Sequence, residues 1–472
     1  MPERPSILIN LTATLIELEE WPNAEKLSLR LLSLEPHSFD GLINLGVCML
    51  HLSKYDEALE LFNQASEINP KSPSPWINKG LIFLDQGRIA ESSKCLDEAL
   101  FISPDSQEAL IALGNIANEL ENYEAAIELF NKVLHINPKN TKALWNKSLS
   151  LLRLGKFKEG WELYESRWQI AGMRQFALKK LTLTLWLGKE SLKNKSILIH
   201  AEQGYGDTIQ FCRYIPLIES MGCKVIFQVP KPLLGLMRSL GQNIEVIEND
   251  AINLELSSRK IEFYCPIMSL ALAFRTTLET IPNKIPYLFA SDDEITKWKD
   301  KLQKISDGKI HQRKVFRVGI AWSGSGHYAG KRNLKRDIPL DSVVSLVEQC
   351  FDMIPVEFHS LQIEKEKNHA VSKLIKESFY SHSEDLQNFQ ETAALMVNLD
   401  LIVSIDTSTA HLAGALNLPT LLLLPRPPDF MFQMDRSDTP WYPSIQIIRQ
   451  ESRSRWPITK IANSIEQYFL KK

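Results

Sequence analysis

Cysteine is scarce: six in 472 residues, at Cys48, Cys95, Cys212, Cys223, Cys265 and Cys350, with no CxxC pair. That scatter excludes a disulfide framework and a cysteine-based zinc site. It suits reduced, mostly buried thiols acting as small apolar filler in a cytoplasmic protein. No apolar run approaches the ~20 residues that a membrane-spanning helix needs. The start of the sequence lacks the basic stretch and apolar core of a signal peptide. Neither sign of charge dominates, since 54 Lys and Arg against 57 Asp and Glu give a formal net charge of −3. A broad basic field is therefore absent, and nucleic acid is not indicated as a partner. There is no DxD triplet, no His/Cys/carboxylate group at ligand spacing, no GxGxxG and no Walker sequence. Dinucleotide and ATP chemistry are not indicated, and no metal or cofactor is expected.

What the chain does have is repetition. Its length exceeds one core and predicts two to four domains. Pro36, Pro70, Pro104 and Pro138 stand 34 residues apart, and three further columns keep the same step. One is small (Ala24, Ala58, Ser92, Ala126, Gly160), one small or hydroxylic (Thr12, Gly46, Gly80, Gly114, Ser148), and one bulky (Trp21, Tyr55, Ile89, Tyr123, Phe157). Apolar residues between them follow helical spacing, as in Leu45, Met49 and Leu52, then Ala58, Leu59 and Phe62. Small residues let two helices approach, and each proline stops the second helix because it has no N–H to continue the ladder. The pattern resembles the tetratricopeptide repeat, whose helix pairs stack into a solenoid. About five repeats are expected over residues 1–175. In the fifth, Gly172 replaces the proline, and Trp161, Tyr164 and Trp168 make it unusually aromatic, as suits a capping repeat docked on the next domain. A solenoid offers a concave surface for a peptide or protein; a spacer or dimerisation element is the alternative.

From Lys195 the rhythm changes to short strands alternating with helices, the signature of parallel sheets with right-handed crossovers. Strands are predicted at Ser196–His200, Lys224–Val229 and Ile244–Ile247, and helices at Thr208–Met221 and Leu233–Leu240. A charged linker is expected at about Ser291–Lys314. A second series follows, with strands at Val315–Trp322, Val356–Leu361, Leu399–Ile405 and Thr420–Leu424. Its helices are expected at Asp341–Cys350, Thr392–Asn398, Ser408–Leu416 and Ile458–Leu470. Two doubly wound domains facing a cleft are expected, over 176–300 and 301–472, with ligands at the carboxyl ends of the strands.

Three turns at such ends could carry chemistry. In Gln203-Gly204-Tyr205-Gly206-Asp207, glycines after a strand admit a ligand close to the backbone. Asp207 is either a helix cap or a base, and the two are compatible. In Asp406-Thr407-Ser408-Thr409-Ala410-His411, hydroxyls and N–H groups at a helix start suit a phosphate; capping by Thr407 or Ser408, with His411 as a polar core residue, is the bland alternative. The third turn, Trp322–Arg336, carries Ser323, Gly324, Ser325, Gly326, His327, Lys331, Arg332, Lys335 and Arg336, and suits either a diphosphate or solvent.

These turns, in this order, resemble the bacterial family-nine glycosyltransferases, the ADP-heptose:lipopolysaccharide heptosyltransferases, over about Trp186–Lys471. The likeness is greatest to a subgroup that follows tetratricopeptide repeats. It is carried by Gly160-Trp161-Glu162, Arg167-Trp168, the run His200–Phe211, Ile281-Pro282, Pro286-Tyr287-Leu288, Ile405-Asp406-Thr407, Ala410–Ala415 and Pro440-Trp441-Tyr442-Pro443. The resemblance implies a GT-B fold of two Rossmann-like domains and an inverting, metal-independent transfer from a nucleotide-sugar. It makes Asp207 the general base. It gives donor contacts to Ser323, Gly324, Lys331, Arg336, Gln362, Asp406, Thr407, Ser408 and His411, with Gln362 toward the nucleoside. The loop before Arg336 runs about two residues longer than the family's, and Asp337 stands where a small hydroxyl residue is usual. The repeats would recruit a protein or peptide acceptor. A polysaccharide or lipid-linked acceptor, or a non-catalytic scaffold whose α/β module only binds a ligand, are the alternatives.

Overall fold

The computed structural model describes residues 4–170, 183–202, 204–249, 260–307, 315–324, 336–375, 378–434, 436–452 and 455–472, with the backbone alone at 327–328 and 331–332. Gly172, Gln203, Ser325, Gly326 and Lys335, and the side chains of His327, Lys331 and Arg332, lie outside that set. Two compact units divide between Leu151 and Leu152.

The first unit is a run of antiparallel helix pairs: α1 (Pro5–Glu17), α2 (Trp21–Leu34), α3 (Phe39–His51), α4 (Tyr55–Ile68), α5 (Ser74–Asp85), α6 (Ile89–Ile102), α7 (Gln107–Glu119), α8 (Tyr123–Ile136) and the start of α9 (Thr141–Arg153). The even-numbered helices from α2 to α8 each stop two residues before a repeat proline. The small columns do what their size allows. A Cβ on Gly46 would stand 2.6 Å from the Phe62 ring, and one on Gly114 would stand 2.5 Å from the Phe130 ring. Both rings are fully buried. Ser92 donates from its hydroxyl to the Gly80 carbonyl across its helix pair, 2.6 Å.

A further column escaped the sequence pattern because its residue type varies. Glu19, Ser53, Gly87, Glu121 and Gly155 recur every 34 residues with φ between 60° and 75°. Each reverses the chain between the two helices of its repeat. A left-handed residue there is required by geometry, and only two of the five are glycine.

The second unit begins with the end of α9 and α10 (Phe157–Tyr164), followed by a 3₁₀ turn at Glu165–Gln169. The aromatic excess of the fifth repeat is explained here. Trp161 is buried edge-on against Tyr164, Phe211 and Phe430, so this helix packs as part of the α/β unit.

The α/β part then runs β1 (Thr184–Leu185), β2 (Ser196–His200), α11 (Tyr205–Phe211), α12 (Ile215–Glu219), β3 (Lys224–Val229), α13 (Leu234–Met237), β4 (Ile244–Glu248), β5 (Phe263–Pro266), α14 (Leu270–Ala273) and α15 (Asp292–Asp307). It continues with β6 (Phe316–Ala321), the hairpin β7 (His327–Tyr328) and β8 (Lys331–Arg332), α16 (Leu340–Met353), β9 (Val356–Ser360), α17 (Lys365–Leu374), β10 (Phe379–Tyr380), α18 (Phe389–Val397), β11 (Leu401–Ile405), α19 (Ser408–Ala415), β12 (Thr420–Leu424), β13 (Ile445–Arg449) and α20 (Ile458–Leu470).

Two all-parallel sheets result. The first has the order β1-β5-β2-β3-β4 and the second β10-β9-β6-β11-β12-β13. The second is the doubly wound dinucleotide-fold order: the chain moves outward from β6, returns, and moves outward again from β11. Its central strands β11 and β12 are buried along their whole length, as their apolar runs predicted.

Three expectations need correction. The stretch 291–314 is not a linker throughout, since α15 occupies Asp292–Asp307. Its charges hide an apolar stripe in which Trp298 and Leu302, one turn apart, are buried. Trp298 packs edge-on to His382, so α15 belongs with the second sheet and the residue-300 boundary falls inside a helix. The helix expected at Thr208–Met221 starts earlier, at Tyr205, and is interrupted by a 3₁₀ turn at Cys212–Tyr214 next to Pro216, which has no N–H to donate. The short strands β1, β5, β10 and β13 were not anticipated. All six cysteines are free, and five are buried. Among the described residues no helix is long and apolar enough to cross a membrane.

Replacing Gly114 by Ala should test the packing of the repeats. Helix propensity alone would stabilise the variant by about 1 kcal/mol. The enclosed Phe130 ring leaves no room, and we expect a net loss of about 1–2 kcal/mol in urea unfolding.

Candidate active site

The site is assembled from loop ends, each positioned by a parallel strand. After β2 the chain runs through Ala201 and Glu202 to Gly204, which is extended (φ −70°, ψ 152°) and begins α11 without a capping side chain. Asp207, third in the helix, turns back so that the Gly204 N–H donates to its carboxyl group. After β11, Asp406 leads to Thr407, extended at φ −145°, ψ 174°, and α19 begins at Ser408. The Thr407 side chain does not cap α19; its hydroxyl donates to the Ile405 carbonyl at 3.4 Å. The Ala410 and His411 N–H groups donate to the Thr407 carbonyl, and among the described residues no side chain caps the Ser408 and Thr409 N–H groups before them.

These two helix starts meet. A Cβ on Gly206 would lie 2.9 Å from His411 Cδ2 and 3.6 Å from Ser408 Cα. His411 cannot retreat, because its ring lies 5.8 Å from Phe432 and edge-on to Tyr442, with Nδ1 3.1 Å from the Tyr442 hydroxyl. Burial, and then the Arg213 charge, push His411 down to about 3. Its Nε2 stands 3.7 Å from Asp406 Oδ1, and with the ring neutral this is not an ion pair.

Carboxylates crowd the same place. Burial, then Asp429 and Glu202, raise Asp207 to about 7 against the Gly204 N–H and Arg167. Burial, then Asp429 and Asp207, raise Asp406 to about 7 against Arg336. Asp429 is raised by burial too, opposed by Arg153, by the Met431 and Phe430 N–H groups and by Arg336. Asp207 and Asp406 keep partial solvent access and Asp429 more, which makes them walls of a cleft rather than core.

The cationic side is Arg336. Its Nη1 donates to the Asp406 carbonyl, 3.1 Å, and its guanidinium lies 2.5 Å from where a Gly324 Cβ would be. A larger residue at 324 would require the guanidinium to move. Among the described residues its buried Nε meets no acceptor. The Trp322–Gly324 turn is braced from below. Gln362 Oε1 accepts from the Trp322 and Ser323 N–H groups, both 3.1 Å, while Asp337 accepts from Ser323 Oγ (2.9 Å) and the Gly324 N–H (3.0 Å). Gln362 therefore holds the turn rather than projecting past it, and Asp337 has a use that a small hydroxyl residue would not supply. Lys331 lies in the β7–β8 hairpin, and Tyr205 is exposed, edge-on to Phe389. Among the described residues no three His, Cys, Asp or Glu side chains form a group able to hold a metal ion.

Sequence reading missed Asp429 and Arg213. Arg213 is buried, and among the described residues no carboxylate pairs with it. It donates to the carbonyls of Gln210, Pro282 and Trp441 and to the Tyr287 hydroxyl, under the faces of Tyr287, Trp441 and Tyr442. It thereby joins α11 to the Tyr442 that holds His411. Nothing in its spacing marked it.

Comparison with known proteins matches tetratricopeptide-repeat models to residues 51–87 and 77–141. The chain therefore contains such repeats. It is 26% identical over 337 residues to protein FlbA of Caulobacter vibrioides, a stretch covering 67% of this chain and 54% of FlbA. The chain thus spans about half the length of that relative. Among solved structures, PilF of Pseudomonas aeruginosa is 19% identical with a TM-score of 0.31, covering 34% of this chain and 75% of that one. The tetratricopeptide protein TTC0263 of Thermus thermophilus is 16% identical with a TM-score of 0.33, covering 36% and 92%.

Gly206→Ala probes the meeting of the helix starts. With His411 wedged between Phe432 and Tyr442, the backbone must shift, and thermal unfolding should show a loss of about 1–3 kcal/mol.

Proposed function

We propose that the chain is an inverting, metal-independent glycosyltransferase of the GT-B kind, working in the cytoplasm. The observation that carries this reading is the face-to-face meeting of α11 and α19, which brings Asp207 to the N-terminus of a helix with uncapped N–H groups. A base and an anion site thus adjoin, at the carboxyl ends of two parallel sheets.

In the proposed reaction Asp207 takes the proton of an acceptor hydroxyl. The freed oxygen pair attacks the anomeric carbon from the face opposite the diphosphate. The bond from that carbon to the diphosphate oxygen breaks, and its electron pair leaves with the nucleoside diphosphate. Charge on the leaving group is met by the first N–H groups of α19, by the Ser408 hydroxyl, and by the Arg336 guanidinium beside Gly324. A carboxyl group held near 7 suits a base that must be ionised yet basic at neutral pH. His411, neutral and fixed by Tyr442, keeps the α19 start in place by packing and hydrogen bonding rather than by charge. The repeats supply the surface for a protein or peptide acceptor.

The test is transfer and hydrolysis across a panel of ADP-, GDP-, UDP- and dTDP-sugars. One nucleoside diphosphate should be released, and Asp207→Asn should lower transfer about 10²–10⁴-fold with nucleotide affinity little changed. Undiminished transfer in the variant would remove Asp207 as the base. Because the base works ionised, kcat/KM should fall as pH drops through about 7. An ordinary aspartate would place that limb near 4. Gly324→Ala should evict Arg336, weakening nucleotide binding by about tenfold, the worth of one charge-assisted contact, while the melting temperature holds.

A further inference from the structure

In the first sheet the chain moves outward from β2 to β3 and β4, then returns to place β5 on the other side of β2. The crevice at the carboxyl ends of β2 and β5 is therefore a topological switch point, where open parallel sheets take ligands. Here it is filled by the chain itself. Arg167, from the 3₁₀ turn that follows α10, is 1% exposed. Its Nε and Nη2 donate to the two oxygens of Glu202 at 2.9 and 3.0 Å, a two-pronged contact. Nη2 also reaches Ser269 Oγ (2.7 Å), and Nη1 reaches Glu165 Oε1 (2.6 Å) and the Tyr164 carbonyl (3.3 Å). Glu202 accepts a third hydrogen bond from the Met268 N–H, at the end of β5, 3.0 Å. Trp168 and Tyr164 cover the guanidinium faces.

This constellation is more than a stabilising pair. Glu202 ends the β2 loop two residues before Gly204, whose N–H holds the Asp207 carboxyl group. Gly204, the residue that begins α11, has little conformational preference of its own, and Gly206 already lies in the helix. Glu202 ties the end of β2 to the chain after β5 through the Met268 N–H. Lysine could not replace the arginine, because its point charge lacks the planar fork that takes both carboxylate oxygens and stacks between rings.

We propose that Arg167 is a positioning residue for the base. Through Glu202 it fixes the Gly204–Asp207 turn in the place from which Asp207 reaches the acceptor hydroxyl. The inference rests on the glycosyltransferase reading for its kinetic consequence, and on the ion pair alone for its structural one. It also accounts for the fifth repeat, whose Arg167 is held by the site rather than by the repeat array. The groups facing Asp207 are Glu202, Arg167, Asp429, Asp406 and Tyr164, with neutral His411 across Gly206. Glu202 opposes ionisation of Asp207, and Arg167 favours it.

The test uses the full chain with ¹³C-labelled aspartate, the Asp207 carboxyl signal being assigned by its loss in Asp207→Asn. Glu202→Gln removes a negative neighbour, so the Asp207 midpoint should move to lower pH, and the acid limb of kcat/KM with it. Arg167→Lys keeps the charge but loses the fork. Turnover should fall on the order of 10²-fold, as a misplaced group does, while KM for the nucleotide-sugar stays within twofold. Wild-type turnover and an unmoved Asp207 midpoint in both variants, with only a lower melting temperature, would overturn the proposal and leave a structural pair. If Arg167→Lys fails to fold, Glu202→Gln decides alone through turnover and the Gly204 amide signal, since its midpoint moves with the lost charge in any case; both unchanged would overturn the proposal. A displaced Gly204 amide signal in a protein with no transferase activity would uphold the positioning role and sink the reaction instead.

Discussion

The α/β unit depends on one close approach. Helix α11, rising from the first sheet, and helix α19, rising from the second, touch at their N-termini, and residue 206 must be glycine for them to do so. Two positive helix ends facing each other are mutually unfavourable without negative charge between them. The protein supplies that charge with Asp207, Asp406 and Asp429, and then leaves it only partly neutralised by Arg153, Arg167 and Arg336. Burial first, and then this crowding, raises the Asp207 and Asp406 carboxyl groups to about 7.

The surrounding structure holds this arrangement still. His411 is stacked on Phe432 and hydrogen-bonded to Tyr442, Tyr442 lies on the Arg213 guanidinium, and Arg213 ties α11 to the Pro282 and Trp441 carbonyls. Gly414 completes the packing, since a Cβ there would lie 2.3 Å from the Tyr442 ring. On the opposite side Gln362 and Asp337 fix the Trp322–Gly324 turn from which Arg336 is met. The Trp322–Gly324 turn is thus anchored by polar side chains from distant parts of the chain.

Much of this was legible in the sequence where the signal is periodic or local. The 34-residue columns placed the helix pairs, because proline stops and small contacts recur wherever the same packing recurs. The apolar runs of β2, β3, β6, β11 and β12 marked buried parallel strands. The glycine and hydroxyl turns marked Asp207, Asp406 and His411, which the fold brings together. The failures have physical causes. In α15, charge outweighs a two-residue apolar stripe. The left-handed residues at 19, 53 and 121 are not glycine. Asp429, Arg213 and the Arg167–Glu202 pair act across long sequence separations, where no spacing rule reaches. Gln362 sits at the strand end expected, with its Oε1 accepting from the Trp322 and Ser323 N–H groups, a contact that no spacing rule reveals.

The central claim is that the α19 N-terminus and Arg336 together accept a nucleoside diphosphate beside Asp207 without a metal ion. Calorimetric titration of the full chain with ADP, GDP, UDP and dTDP in the presence of EDTA tests it directly. One of the four should bind with 1:1 stoichiometry, and binding should weaken on Arg336→Ala. Failure of all four to bind, or binding that requires a divalent cation, would contradict the account.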